Sequence, residues 1–225
     1  EHSYNVMCKY FGRKPGALMS IEIGGMNSVI PFALGARLGL PVIDADGMGR
    51  AYPEIQMVTF TLHGHLAAPL TVADEHGNVI LVDTISNTWA EWLARPAAAV
   101  MGAIAGGCGF PLTVADIRSG GVLGTVSFAE RIGSAIRHAQ RAHTSPVEAV
   151  LKETNGFQIF QGRVVDVQRR VDAGWTKGET TISGVDDYEG REMTIQFQNE
   201  HLVAIEDGEV VVSVPDLIAI LDTER

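Results

Sequence analysis

Two stretches of this chain each run from a short apolar segment into a glycine-rich polar loop, Leu18 to Ser28 and Leu40 to Arg50. Between them, residues 29–38 carry apolar side chains at helical spacing, with Pro31 tolerated in a first turn and Gly39 placed as a C-terminal cap. The order strand, helix, strand within one sheet demands a right-handed parallel crossover. It also sets the two loops side by side at strand ends, where open parallel sheets place their ligands. The N-terminal part is therefore expected to be α/β, a parallel or mixed sheet with flanking helices.

Further along, residues 58–65 and 70–73 read as strands, and the His76-Gly77-Asn78 turn leads into another at 79–82, a hairpin pattern. Asn87 or Thr88 can cap a helix reaching about Val100. Residues 128–142 and 146–154 read as amphipathic helices, the second with a Ser145 cap and Pro146 in its first position. After Asn155-Gly156 the texture changes. Residues 157–171, 175–182, 193–198, 202–205 and 210–214 alternate apolar and polar side chains, an antiparallel pattern, and Asp207-Gly208 is a hairpin signal. These segments suggest an antiparallel β-barrel-like part. The expected division is an α/β domain over residues 1–82 and a second domain over 83–225, helical at 87–154 and β-barrel-like from 157. The chain opens on Glu1 and closes inside an unfinished apolar pattern, so it reads as a piece of something longer, its first domain incomplete at the N-terminus.

With 46% hydrophobic residues among 225, a full core can be built. The net charge of -10 and the absence of a basic run exclude a sequence-independent nucleic-acid binder, which needs clustered Lys and Arg. Cys8 and Cys108 lack disulfide-framework or zinc-knuckle spacing, which fits a reducing cytoplasm. The most apolar run, residues 96–107, is shorter than the roughly 18 to 20 residues a spanning helix requires, so no membrane role is expected. A homo-oligomer is expected.

Several residues could carry chemistry. Asp44 and Asp46, two apart at a strand end, would share a face and could bind a cation or supply a general base. Glu22 sits at the equivalent place on the preceding strand. Gly24, Gly25 and Asn27 open a helix whose N–H groups could receive a carboxylate or polarised carbonyl oxygen. Arg50 and Glu54 flank Ala51-Tyr52-Pro53, where the guanidinium could clamp a substrate carboxylate. His63 and His65, on one strand face, form half of a metal site if a carboxylate stands near, and a divalent metal such as zinc is the one candidate cofactor. Cys108, between glycines, is a weaker candidate nucleophile, since no histidine lies close in sequence to activate it. Asn199, Glu200 and His201 interrupt the β pattern as a polar turn would.

Taken together, the runs Ile21 to Ser28, Asp44 to Glu54, Ala73 to Asn78, Phe197 to Glu200 and Val214 to Ile218 resemble the signature segments of the S-methyl-thiohydantoin desulfurase family, associated with hydantoinase and oxoprolinase proteins. The resemblance spans nearly the whole chain. It implies an α/β N-terminal domain joined to a domain with a β-barrel part, and a hydrolase that exchanges ring sulfur for oxygen on a small-molecule thiohydantoin. Members of that family extend beyond both ends of this chain. The expected catalytic set is Asp44, Asp46 and Glu22, with Gly24, Gly25, Asn27, Arg50 and Glu54 binding substrate. Two rival readings stand beside it: a metal-dependent hydantoin or lactam hydrolase using His63, His65 and Asp46, and a non-catalytic subunit of a hydantoinase-like complex.

Overall fold

A computed structural model describes residues 1–172 and 175–222. Its contacts divide the chain into two compact units, Glu1–Val126 and Ser127–Arg225. In the first unit the elements run α1 (His2–Phe11), α2 (Gly25–Leu38), β1 (Ala45–Asp46), α3 (Thr59–Leu62), β2 (Leu70–Ala73), β3 (Val79–Val82), α4 (Asn87–Val100), β4 (Gly106–Cys108), α5 (Val114–Gly120) and β5 (Val122–Leu123). Helix α6 (Thr125–Arg141) crosses the division and is followed by α7 (Pro146–Thr154), β6 (Gly162–Asp172), β7 (Trp175–Gly184), β8 (Glu192–Gln198), β9 (Glu200–Glu206) and β10 (Glu209–Ser213).

The two loop-bearing segments do run side by side. Leu18 donates to the Pro41 carbonyl at 2.9 Å, Ile43 to Leu18 at 2.8 Å and Gly47 to Ile21 at 2.9 Å. The expected parallel sheet does not follow from this. Among the described residues these bonds amount to one isolated parallel bridge, Leu18 to Val42, and no longer ladder. The Ser20 hydroxyl donates to the carbonyls of Glu22 and Asn27, which curls the first segment. The Asp46 side chain then takes the Ile23 N–H that a ladder carbonyl would otherwise receive. The sheets of this unit are antiparallel instead, ordered β3-β2-β4, with β1 paired to β5.

Helix α2 begins at extended Gly24 and ends at Gly39, whose φ of 69° is the left-handed geometry that glycine tolerates. Residues 58–65, expected as a strand, form the single turn of α3 and a left-handed Gly64. Burial explains the difference. Phe60 is fully buried and packs with Ala45, Val58 and Ile117, while the N–H groups of His63 and His65 both return to its carbonyl. Ser86, not Asn87 or Thr88, caps α4 by accepting from the Trp89 N–H at 3.3 Å. Asn87 is buried, and its amide is committed to Thr61, His65 and Ala67. A second core cluster joins Ala67, Leu70 and Val72 to Ala90 and Ala94 of α4. Among the described residues no helix is long and apolar enough to cross a membrane.

In the second unit Ser145 caps α7 through the Glu148 N–H at 3.2 Å, and left-handed Asn155 ends it. The five strands form an antiparallel meander, β10-β9-β8-β7-β6, turned at its last hairpin by Asp207 and Gly208 with φ of 47° and 90°. It is an open sheet rather than the expected barrel: among the described residues no ladder joins β6 to β10. Closure is not needed to bury its apolar face. Ile159, Phe160 and Ile218 pack over Ile182, Met193, Ile195 and Ala204 instead.

Gly178, in the middle of β7, is required by close approach: a Cβ there would stand 1.9 Å from the Gln168 carbonyl oxygen and 2.8 Å from the Phe197 ring. Gly178→Ala is therefore expected to lower stability by about 1–3 kcal/mol. Urea denaturation with an unchanged midpoint would contradict this.

Candidate active site

Asp46 is the hinge pin between the two loops. Strand β1 ends on it with no exposed surface, and its carboxylate accepts the Ile23 N–H at 2.8 Å and the Gly49 N–H at 2.9 Å. Burial raises its pKa above the usual carboxylate value. The N–H groups of Ile23, Gly49 and Met48 and the Thr125 hydroxyl pull the other way. Asp44 stands two residues back and is exposed, its Oδ1 accepting the Val126 N–H at 2.9 Å in the first turn of α6. A carboxylate there satisfies an otherwise unpaired helix donor. Each of the two aspartates thus holds backbone.

Glu22 lies on the other side of the pin, half-buried, with Oε1 accepting from the Asn27 side-chain amide at 2.6 Å. Asn27 belongs to the first turn of α2, so this bond ties the carboxylate to the helix start. Gly24 keeps the approach open: a Cβ there would lie 3.3 Å from Ala51 and 3.6 Å from Glu22 Oε1. No side chain caps α2, and Gly25, Met26 and Asn27 are exposed. The leading N–H groups of a 14-residue helix therefore face outward beside a fixed carboxylate.

The segment after the pin is anchored on both flanks. The Arg50 side chain is buried, donates from Nε to the Ala51 carbonyl at 3.3 Å and places its guanidinium 4.8 Å from the centre of the Tyr52 ring. The Glu54 carboxylate accepts from the Gln56 amide. Two residues that sequence reasoning missed hold this loop to α4. Glu91, 3% exposed, accepts the Ile55 N–H at 2.9 Å, and Arg95 donates to the Pro53 carbonyl at 2.6 Å while pairing with Glu91. Their only signal in the sequence is the Glu-to-Arg spacing of four on a helix. Their backbone partners lie some forty residues away, 36 and 42 respectively.

His63 and His65 leave the end of α3 separately rather than sharing a strand face. The His65 ring sits edge-on to Phe60, with Nε2 3.8 Å from Asp116, whose carboxyl is held below its ordinary pKa by the Thr113 N–H and hydroxyl. His63 packs against Gly120, where a Cβ would meet its ring at 3.2 Å. Among the described residues no three His, Cys, Asp or Glu side chains gather as a metal site. Cys108 lies in β4, and burial pushes its thiol pKa up, away from the thiolate a nucleophile needs.

The arrangement thus brings Glu22, Gly24, Gly25, Asn27 and Asp46 to one junction beside Ala51. Arg50 and Glu54 follow in the adjoining loop, Asp44 turns to α6, and the histidines lie by α5. A half-buried carboxylate beside outward N–H groups can accept a proton on one side and steady developing negative charge on the other.

Two family models match the chain end to end: the S-Me-THD-like N-terminal domain over residues 1–84 and the S-Me-THD-like C-terminal domain over residues 85–225. A crystal structure of a protein from Chromobacterium violaceum shares the fold, with a TM-score of 0.73 and 23% identity over 96% of this chain. The chain spans 59% of the length of that one. No curated protein matches.

Proposed function

Because this chain belongs to the S-Me-THD-like family, we propose that it acts on a thiohydantoin-type ring, replacing sulfur by oxygen through hydrolysis at the junction of residues 20–28 and 43–52. The observation that supports this most is the Glu22 carboxylate, bonded to Asn27 at 2.6 Å, beside the uncapped start of α2. On an S-methyl-thiohydantoin, water adds to the ring carbon bearing sulfur. Glu22 takes the proton from that water as the C–O bond forms, and the charge building on the ring falls toward the N–H groups of Gly25 and Met26.

The tetrahedral centre then collapses: its hydroxyl proton passes to the ring nitrogen as the carbonyl forms and the C–S bond breaks, and the departing methanethiolate takes up the proton that Glu22 received. Ring, water, carbonyl product and methanethiol balance without an oxidant or reductant. In this reading Asp46 is a positioning residue, since its oxygens are engaged by backbone N–H groups of both loops. Arg50, stacked on Tyr52, keeps the second loop in place.

Incubating the purified protein with an S-methyl-thiohydantoin should release one methanethiol per ring, trapped by a thiol reagent, as the carbonyl product appears. Folded protein that releases neither methanethiol from an S-methyl-thiohydantoin nor hydrogen sulfide from an unmethylated thiohydantoin would refute the proposal.

A further inference from the structure

Among the described residues, Ile159, Phe160 and Ile218 cover part of the packed side of the second unit's sheet. Beyond the part under Ile159, Phe160 and Ile218, it continues as an open groove of about 450 Å³ lined by Arg169, Thr176, Thr180, Phe197, Asn199 and His201, with Val167 at its edge. The strand register explains the lining. Arg169 is opposite Gly178, Gly178 opposite Phe197, and Phe197 opposite His201, so one cross-strand row spans β6 to β9. Residues in such a row share a face. Gly178 contributes no side chain to the row, and the Phe197 ring leans over it. A trough is left with a flat aromatic wall.

The polar groups of this trough have few partners. Arg169 is exposed and has no acidic partner among the described residues. His201 Nδ1 lies 3.0 Å from the Ile218 carbonyl, which can only accept, so that nitrogen carries the ring proton. Asn199 Oδ1 is taken by the Thr176 N–H at 2.9 Å, which fixes the rim. Among the described residues no Asp or Glu lines the groove. A lone guanidinium suits the fork of a carboxylate, and a ring face suits a flat partner.

From this we infer that the groove is a binding site for a small planar carboxylate, with its anionic end on Arg169 and its ring against Phe197. The site lies wholly within the second unit and is independent of the desulfurase reading. Benzoate is the probe, titrated into the isotope-labelled full chain and followed by the amide resonances of Thr176, Gly178 and Thr180.

Saturable shifts at those amides are expected, weakened at least tenfold by Arg169→Gln and several-fold by Phe197→Leu. Uncharged benzamide and non-planar cyclohexanecarboxylate should each bind at least tenfold more weakly than benzoate. Arg169 is exposed, so its substitution leaves the fold intact, which the unperturbed spectrum checks. The inference is overturned by the absence of saturable shifts, by unchanged affinity in Arg169→Gln, or by cyclohexanecarboxylate matching benzoate.

Discussion

Glu22→Gln is expected to lower turnover on a thiohydantoin substrate by roughly 10²- to 10⁴-fold, the usual contribution of a positioned general base. KM should change little. The substitution keeps the shape of a half-buried side chain and an oxygen for the Asn27 amide, whose 2.6 Å bond then becomes neutral rather than charge-assisted. The capacity to accept a proton from water is removed together with the charge. Steady-state kinetics with a urea midpoint close to that of the parent checks both parts, and a Glu22→Gln variant retaining full turnover would remove Glu22 from the chemistry. Asn27→Ala gives a graded companion result, because the carboxylate stays in place of an amide and loses only its tether to the start of α2.

The second large effect is structural. Asp46→Asn leaves one acceptor oxygen where Asp46 has two: with the NH₂ group at the Oδ2 position the Ile23 N–H loses its 2.8 Å acceptor, and with it at the Oδ1 position the NH₂ group faces the Gly49 N–H, which Oδ1 accepts at 3.0 Å. Each buried donor left unpaired costs about 1–3 kcal/mol. Activity should fall as well, since the two loops lose the residue that joins them.

The pH dependence has a definite sign. Burial raises the Asp46 pKa, so between its ordinary and its raised value the folded chain holds this proton more firmly than the unfolded chain. The group's contribution to stability is therefore greatest below the ordinary carboxylate pKa and declines as pH rises through the raised one. The amide of the Asp46→Asn variant cannot titrate. The stability gap between parent and variant should accordingly narrow as pH rises from the ordinary carboxylate pKa through the raised one. Urea midpoints across that range measure it, and a gap that widens with pH would show that the backbone N–H groups outweigh burial.

Particular residues show how far local pattern carries. The antiparallel meander was legible because alternation has a period of two and because Asp207-Gly208 suits a two-residue turn. The closed barrel was not, since alternation says which side of a strand is apolar and nothing about what covers it. Here Ile159, Phe160 and Ile218, from outside the strands, do so. Residues 58–65 misled for a related reason. Their alternating pattern suits a strand equally well, and burial of Phe60 with Ala45, Val58 and Ile117 settles a helical turn.

The proximity of the loops at Glu22 and Asp46 could be anticipated from two apolar segments each ending in glycine, and the hydrogen bonds between residues 18–23 and 41–47 realise it. The work each carboxylate does could not be anticipated. Asp44, Asp46 and Glu22 are alike as residue types, and their surroundings differ only after folding: one meets α6, one is enclosed by backbone N–H groups and one meets Asn27. Glu91 and Arg95 were out of reach for the same reason, their partners being the N–H of Ile55 and the carbonyl of Pro53.

By itself, then, the sequence determined what depends on near neighbours: the helices at Asn87–Val100 and Pro146–Thr154, the hairpin turn, the glycine caps and the signature runs that mark the family. Tertiary structure alone decided the sheet order, the open edge, the burial of Asp46 and the groove beside Phe197. Desolvation and long-range hydrogen bonding depend on which distant segments arrive at the same place, and no local pattern encodes that.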